Sequence, residues 1–406
     1  MKILMVNKFL YPRGGSESYM LKLGKAYEMQ GHEVQYFGMF DEKNTVTNCA
    51  DMYTSNMDFH STGVARFLYP FKILYSIEAK RKIGKVLDSF KPDIVHMNNI
   101  NFQLTPSIIY AVKKRGIPLV QTVHDYQMIC PNHLLYSFKE NKPCVRCING
   151  SKLSCAKHSC IHDSKIKSIL GTIESWLYSA LKTYKKVDLY ICPSAFLENK
   201  LLTANKLYAG KTFTIHNFID KAEAVDTDEN IAPYILYVGR LSKEKGVELL
   251  ADGAKLLPEY KFKVAGTGPD GDALSNIENV ELLGFVSGGA LSKLMAEASV
   301  LIAPSVCFEN CPLSILEANA LGTPVITMNS GGMAELVSDG VTGTLVSEPN
   351  AACIAEKIKL TLENKEYYAK LKENCVKTKD SILTVDEYSK ILLEKYEKLI
   401  DGRQVL

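Results

Sequence analysis

Nowhere in the 406 residues does an apolar run approach the ~20 residues that cross a bilayer, so no spanning helix is expected. The amino terminus, MKILMVNKFLYPRGG, carries one Lys, a short apolar run and then polar residues. It reads as a first β-strand rather than a signal peptide, and a cytoplasmic protein is expected. In that setting the 11 cysteines are read as thiols or metal ligands rather than disulfides. Tryptophan is almost absent, with Trp176 alone, and a net charge of only +3 shows no overall excess of one sign. No nucleic-acid partner is expected.

The composition that is present points to two domains. The length exceeds what one core usually serves, and 46% hydrophobic with 23% charged residues is ordinary globular composition. The small net charge hides an asymmetry. Residues 1–220 hold 29 Lys+Arg against 17 Asp+Glu, and residues 221–406 hold 19 against 28. A basic first half and an acidic second half suggest different partners.

The stretch LIAPSVCFENCPLSILEANALGTPV, Leu301–Val325, organises the rest. Val300–Ala303 reads as a buried strand, Pro312 opens a short helix ending near Gly322, and Val325–Thr327 is the next strand. Strand, helix, strand is a right-handed parallel crossover. The helix would start at the carboxyl edge of a parallel sheet, where its free N–H groups at Leu313 and Ser314 suit a phosphate. Glu309 and Glu317 flank that point in an E-x7-E spacing.

Alternating strands and helices continue in both directions. Strands are expected at Lys2–Asn7, Glu33–Phe37, Ile94–Met97, Leu119–Val123 and Asp188–Pro193, then at Tyr234–Val238 and Lys261–Ala265. Helices are expected at Ser18–Gln30, Gly63–Lys91, Ile166–Lys186 and Thr384–Leu399. The loop after the first strand contains Gly14 and Gly15, which let backbone approach a ligand closely, or simply permit a turn. His124-Asp125 ends a strand, where His124 can hydrogen-bond a sugar hydroxyl or serve as a structural residue beside a capping Asp. Asn98, Asn99 and Asn101 end another strand and are read as turn residues or as lining for an acceptor.

The segment ENCPLSILE resembles the E-x7-E signature of retaining nucleotide-sugar transferases, specifically glycosyltransferase family 4. The resemblance covers nearly the whole chain apart from a cysteine-rich insert. It implies two doubly wound, Rossmann-like α/β domains facing a cleft (the GT-B fold), with a carboxyl-terminal helix crossing back to the first. The expected division is an acceptor-side domain at 1–220 with the insert at about 130–162, a nucleotide-sugar domain at 221–383, and the helix at 384–406. The implied reaction takes a sugar from a nucleotide diphosphate, a UDP-sugar by preference, to a lipid-linked or saccharide acceptor. Cell-surface polysaccharide or glycolipid synthesis is the implied setting. Glu309 would face the donor sugar and Glu317 the ribose. Arg240 and Lys245, from Gly239-Arg240-Leu241-Ser242-Lys243-Glu244-Lys245, would neutralise the leaving diphosphate without a catalytic metal. His124 would touch the donor sugar. Gly14, Gly15, Gly239, Gly266, Gly268, Val286, Asn310, Cys311, Pro312, Leu313 and Ser314 complete the donor side.

Four readings stay open beside it. A sugar-nucleotide epimerase or disaccharide phosphorylase would share the fold. Gly266-Thr-Gly268-Pro-Asp-Gly271 literally satisfies the dinucleotide pattern G-x-G-x-x-G, although Pro269 and Asp270 break the usual helix entry. The insert departs from the common family pattern: Cys144, Cys147, Cys155 and Cys160, after Cys130 and with His133, His158 and His162 nearby, have the spacing of a structural zinc site. An iron–sulfur site or reduced thiols are the alternatives. Finally, the basic and aromatic stretch Arg66–Lys91 and the helix around Trp176 suggest peripheral attachment to the anionic inner face of the cell membrane, or else ordinary packing with solvated lysines.

Overall fold

A computed structural model of the chain describes residues 1–56, 72–220, 225–228, 232–403 and 405. The expected helix at Gly63–Lys91 therefore falls partly outside the described residues; its described part is helical at 72–74, breaks at Tyr75 and Ser76, and resumes as the helix Ile77–Phe90.

The chain forms two compact units. The first comprises Met1–Leu135, Val145–His216 and Val385–Leu406, and the second Tyr136–Cys144 and Asn217–Thr384. Strands β1 (Lys2–Val6), β2 (Glu33–Phe37), β3 (Ile94–Met97) and β4 (Leu119–Thr122) enter the first unit. A short antiparallel hairpin follows, β5 (Tyr136–Ser137) with β6 (Lys142–Pro143), and then β7 (Leu189–Cys192) and β8 (Thr212–Thr214). The first unit's sheet is all parallel in the order β2-β1-β3-β4-β7-β8. Its central strands are apolar throughout, as a sheet covered on both faces requires: Ile3 to Val6 are all 0% exposed.

The second unit repeats the plan with β9 (Tyr234–Val238), β10 (Lys261–Ala265), β11 (Val280–Gly284), β12 (Val300–Ala303), β13 (Val325–Met328) and β14 (Gly343–Val346). These strands lie parallel in the order β11-β10-β9-β12-β13-β14. Each sheet thus reverses its winding direction once, between β1 and β3 and between β9 and β12. Beyond the carboxyl ends of such neighbouring strands the loops diverge and leave a crevice for ligand.

Two boundaries differ from expectation for a packing reason. The first unit ends at His216 because Ile219 joins Cys311, Leu316 and Ala320 in a small apolar cluster of the second unit. The Ile219 N–H also donates to the Leu383 carbonyl at 3.0 Å. The hairpin Tyr136–Cys144 lies in sequence within the first unit but belongs to the second, where Asn141 donates to Glu248 at 3.2 Å. The carboxyl-terminal helix, Val385–Ile400, packs into the first unit against the helix Gly15–Met29. Tyrosines join the two: Tyr19 with Tyr388 at 2.9 Å, and Tyr27 with Tyr396 at 3.0 Å. Tyr396 continues to buried His96 Nδ1 at 2.6 Å.

Candidate active site

In the second unit the switch point is occupied by the residues that the sequence singled out. The loop after β9 carries Gly239, Arg240 and Lys245, and the loop after β12 carries Glu309. Lys245 and Glu309 form an ion pair, with side chains 31% and 15% exposed. Ser305 Oγ donates to the same carboxylate oxygen at 3.0 Å and Cys307 Sγ approaches it at 3.8 Å. Burial pushes the Glu309 pKa up. The Lys245 charge outweighs it, helped by hydrogen bonds from Lys245, Ser305 and Cys307, so the carboxyl is held below its ordinary value. Burial likewise works to lower Lys245, and Glu309 foremost reverses that, so the ammonium titrates above its usual range. The site carries a fixed negative and a fixed positive charge side by side.

Backbone holds the two loops in register. The N–H groups of Val306 and Cys307 donate to the Glu244 carbonyl at 3.0 and 3.2 Å. From the loop after β13, the Gly332 N–H donates to the Glu309 carbonyl at 2.7 Å. Gly331 has φ +63, and a Cβ there would stand 2.7 Å from the Glu309 carbonyl oxygen, so the loop is shaped for glycine. Sequence reasoning does not reach Ser305, Cys307 and Gly331 as site residues, since nothing in their local spacing links them to Glu309. The only hint is Gly331-Gly332 placed after a strand.

The helix Leu313–Ala320 begins after Pro312, in extended conformation, leaving the N–H groups of Leu313 and Ser314 at its first turn. Asn217 fixes this start, its backbone N–H reaching Cys311 Sγ at 3.3 Å and its side chain the Cys311 carbonyl at 3.0 Å. Cys311 is therefore a packing residue, 6% exposed, whose thiol burial pushes up to about 12. Val286 also packs against the core of the second unit. Asn310 and Glu317 are partly buried on the same loop and helix.

The G-x-G-x-x-G segment is not a dinucleotide fingerprint. A Cβ on Gly266 would lie 1.8 Å from the Gly239 carbonyl oxygen, and one on Gly268 would lie 2.1 Å from that of Leu241. These glycines let the loop after β10 lie on the loop after β9. The chain then makes a single 3₁₀ turn, Gly271–Leu274, rather than a helix whose N-terminus could take a pyrophosphate.

Gly14, Gly15 and His124 belong to the first unit, where its own switch point lies. Gly14 precedes the helix Gly15–Met29, and a Cβ on Gly15 would meet nothing within 4 Å. His124 Nε2 lies 2.9 Å from Asn98 Oδ1, and the Tyr19 ring meets the imidazole edge-on at 4.9 Å. Burial lowers His124 to about 3, so it is a neutral hydrogen-bonding group near pH 7. Around it run Lys8 to Asn101 at 2.9 Å and Asn101 to Asp125 at 3.0 Å. Asn99 donates to Ser16 at 2.8 Å, so it serves the turn.

Cys155 and Cys160 hydrogen-bond to each other, with Cys130 and Cys147 also acting on the Cys155 thiol. Cys144 ends the segment that belongs to the second unit. Among the described residues no group of three or more His, Cys, Asp or Glu is arranged to hold a metal ion.

Comparison with known proteins decides the family. The model for Glycosyltransferase Family 4 matches residues 13–223, and that for Glycosyl transferases group 1 matches 218–378. The chain belongs to glycosyltransferase family 4. A protein in the cps region of Klebsiella pneumoniae is 26% identical over 353 residues, 83% of this chain and 87% of that protein. Sulfoquinovosyl transferase SQD2 of Arabidopsis thaliana is 23% identical, covering 73% of this chain and 55% of the relative. Among solved structures, Anabaena HepE in complex with UDP and glucose superposes with TM-score 0.67 at 19% identity, over 98% of this chain and 100% of that one. The sucrose-phosphate synthase of Thermosynechococcus elongatus gives 0.71 at 17%, over 99% of each. The family 4 chain is a glycosyltransferase with two α/β domains of the GT-B class.

Proposed function

We propose that this glycosyltransferase moves a sugar from a nucleoside diphosphate, most simply a UDP-sugar, to a hydroxyl of a lipid-linked or saccharide acceptor, retaining the anomeric configuration. The setting is cell-surface polysaccharide or glycolipid synthesis at the cytoplasmic face of the membrane. The observation that carries the reading is the Lys245–Glu309 pair at the switch point between β9 and β12. It is supported by the relative in a cps region and by the UDP and glucose bound in HepE.

When the bond from the sugar's anomeric carbon to the diphosphate breaks, positive charge grows on the ring and negative charge on the leaving oxygen. Lys245, exposed Arg240 and the N–H groups of Leu313 and Ser314 answer the negative charge. Glu309 answers the positive charge and the donor sugar's hydroxyls, and Glu317 holds the ribose. His124, neutral, offers a hydrogen bond to the sugar and no charge. The acceptor oxygen forms its bond on the face the diphosphate leaves, and a departing phosphate oxygen takes the acceptor proton. No covalent nucleophile is required. The cations are in place before reaction, so the charge separation costs little reorganisation.

The test is a nucleotide-sugar screen by thermal stabilisation, followed by turnover with the best donor and NMR of the new linkage. A UDP-sugar should raise the melting temperature and the product should keep the donor's anomeric configuration. An inverted linkage, or no stabilisation by any nucleotide sugar, would overturn the reading.

A further inference from the structure

The helix Lys165–Ala180 is built inside out. Its inward face is polar: Ser168, Thr172, Glu174 and Ser175 are at most 8% exposed, with Tyr178 beside them at 1%. Its outward face is apolar: Ile166 is 73% exposed, Ile169 and Ile173 each 41%, and Trp176 44%. These four fall at i, i+3, i+7 and i+10, one continuous stripe along the helix.

Hydrogen bonds fix this orientation. Ser168 Oγ accepts from the Ile161 N–H at 2.9 Å, Gln127 donates to Glu174 at 3.4 Å, and Tyr178 donates to the Leu74 carbonyl at 2.7 Å. Lys152 Nζ holds the Ser175 carbonyl at 3.2 Å. Turning the stripe inward would break all four. Of the other stretch marked by the sequence, Arg66–Lys91, the described helix Ile77–Phe90 turns Ile83, Val86, Leu87 and Phe90 inward and leaves Ile77 exposed.

Charge identifies what covers the stripe. From Lys165 to Lys186 the sequence has five lysines and one acid, Glu174. That acid is on the buried face, where burial raises it to about 7, while Lys165, Lys167, Lys182, Lys185 and Lys186 are exposed at the two ends. An apolar stripe between cationic ends, with the chain's only Trp in it, matches a lipid interface of negative charge.

We infer that the outward face of the helix Lys165–Ala180 docks on an anionic phospholipid surface, seating Ile166, Ile169, Ile173 and Trp176 among acyl chains with the flanking lysines at the headgroups. This rests on the proposed membrane-borne acceptor and names the surface by which the enzyme reaches it. A stripe this short gives reversible attachment rather than anchoring.

Because Trp176 is the only Trp, its emission reports this face directly in the intact protein. Phosphatidylglycerol vesicles without glycolipid should shift the emission to the blue, and brominated acyl chains should quench it. Partition should exceed that on phosphatidylcholine vesicles by more than about tenfold, and fall when salt rises from about 0.1 M to about 0.5 M. The variant Ile169→Ser/Ile173→Ser, altered only on exposed positions, should keep the parent's melting temperature and lose most of the partition. Should it fail to fold, Lys165→Glu/Lys167→Glu provides the charge arm by the same readout. An emission shift that tracks protein concentration without vesicles would assign the face to a second copy of the chain and overturn the proposal. So would equal partition on both lipids, or none. Thermal stabilisation by nucleotide sugars, measured in parallel without lipid, reports on the proposed reaction and not on this surface, so the two readings fail separately.

Discussion

Replacing Lys245 with alanine removes the cation and leaves Glu309 with Ser305 Oγ at 3.0 Å and Cys307 Sγ at 3.8 Å. Removing one partner of a buried pair costs about 3–5 kcal/mol, and the partial exposure here, 31% and 15%, brings the expectation to roughly 2–3 kcal/mol. For a unit of this size that is a fall of about 5–10 °C in melting temperature. The pH dependence carries the sharper test. In the parent, Glu309 is held below its ordinary value of 4.5, so its ionised form favours folding at neutral pH, and that contribution fades as pH falls through the lowered value. Lys245, raised above 10.5, contributes at all lower pH and loses its part only as pH rises through its own raised value. In Lys245→Ala, burial is opposed only by the two weak donors, and the Glu309 pKa moves up past its ordinary value. A raised carboxyl costs stability at neutral pH, and the cost is relieved as pH falls. The melting deficit against the parent should therefore narrow between about pH 7 and about pH 5. Turnover, followed by release of nucleoside diphosphate, should fall about 10²–10³-fold with a much smaller change in donor affinity. A deficit that is flat or widens toward low pH, or full turnover in the variant, would refute the argument.

The same geometry sets other outcomes. Glu317→Ala should weaken UDP binding in calorimetry while lowering turnover at saturating donor by much less, as loss of a contact made equally in ground and transition states requires. His124 is neutral down to about pH 3, so the rate profile between about pH 5 and about pH 8 should be the same in shape for the parent and for His124→Gln. Elemental analysis of protein purified anaerobically without chelator should show about one zinc per chain, and none would remove the zinc reading of the insert. Short EDTA treatment should leave turnover unchanged in either case. Gly266→Ala, with its Cβ driven into the Gly239 carbonyl, should fold poorly, and NAD should not stabilise the parent in a thermal titration.

Local pattern was enough for the alternating architecture. Strands such as Glu33–Phe37, Ile94–Met97 and Lys261–Ala265 fall where apolar runs and turn residues placed them, because period and punctuation are properties of neighbouring residues. The helix after Pro312 and the acids at Glu309 and Glu317 were legible for the same reason. Pairing across the chain was not. That Glu309 meets Lys245, 64 residues away, depends on β9 and β12 becoming neighbours in the sheet. Ser305, Cys307 and Gly331 act on Glu309 only once that order exists. The glycines of G-x-G-x-x-G have the composition of a phosphate loop, but their Cβ positions fall on backbone from the loop after β9. The helix Lys165–Ala180 shows the limit most clearly. Its apolar and polar faces can be read from a 3.6-residue period, but which face turns inward was decided by partners distant in sequence, Leu74 and Gln127 among them. Sequence determined which residues share a strand, a helix face or a turn; the tertiary structure decided which of those surfaces meet, because contact free energy exists only between groups the fold has brought together.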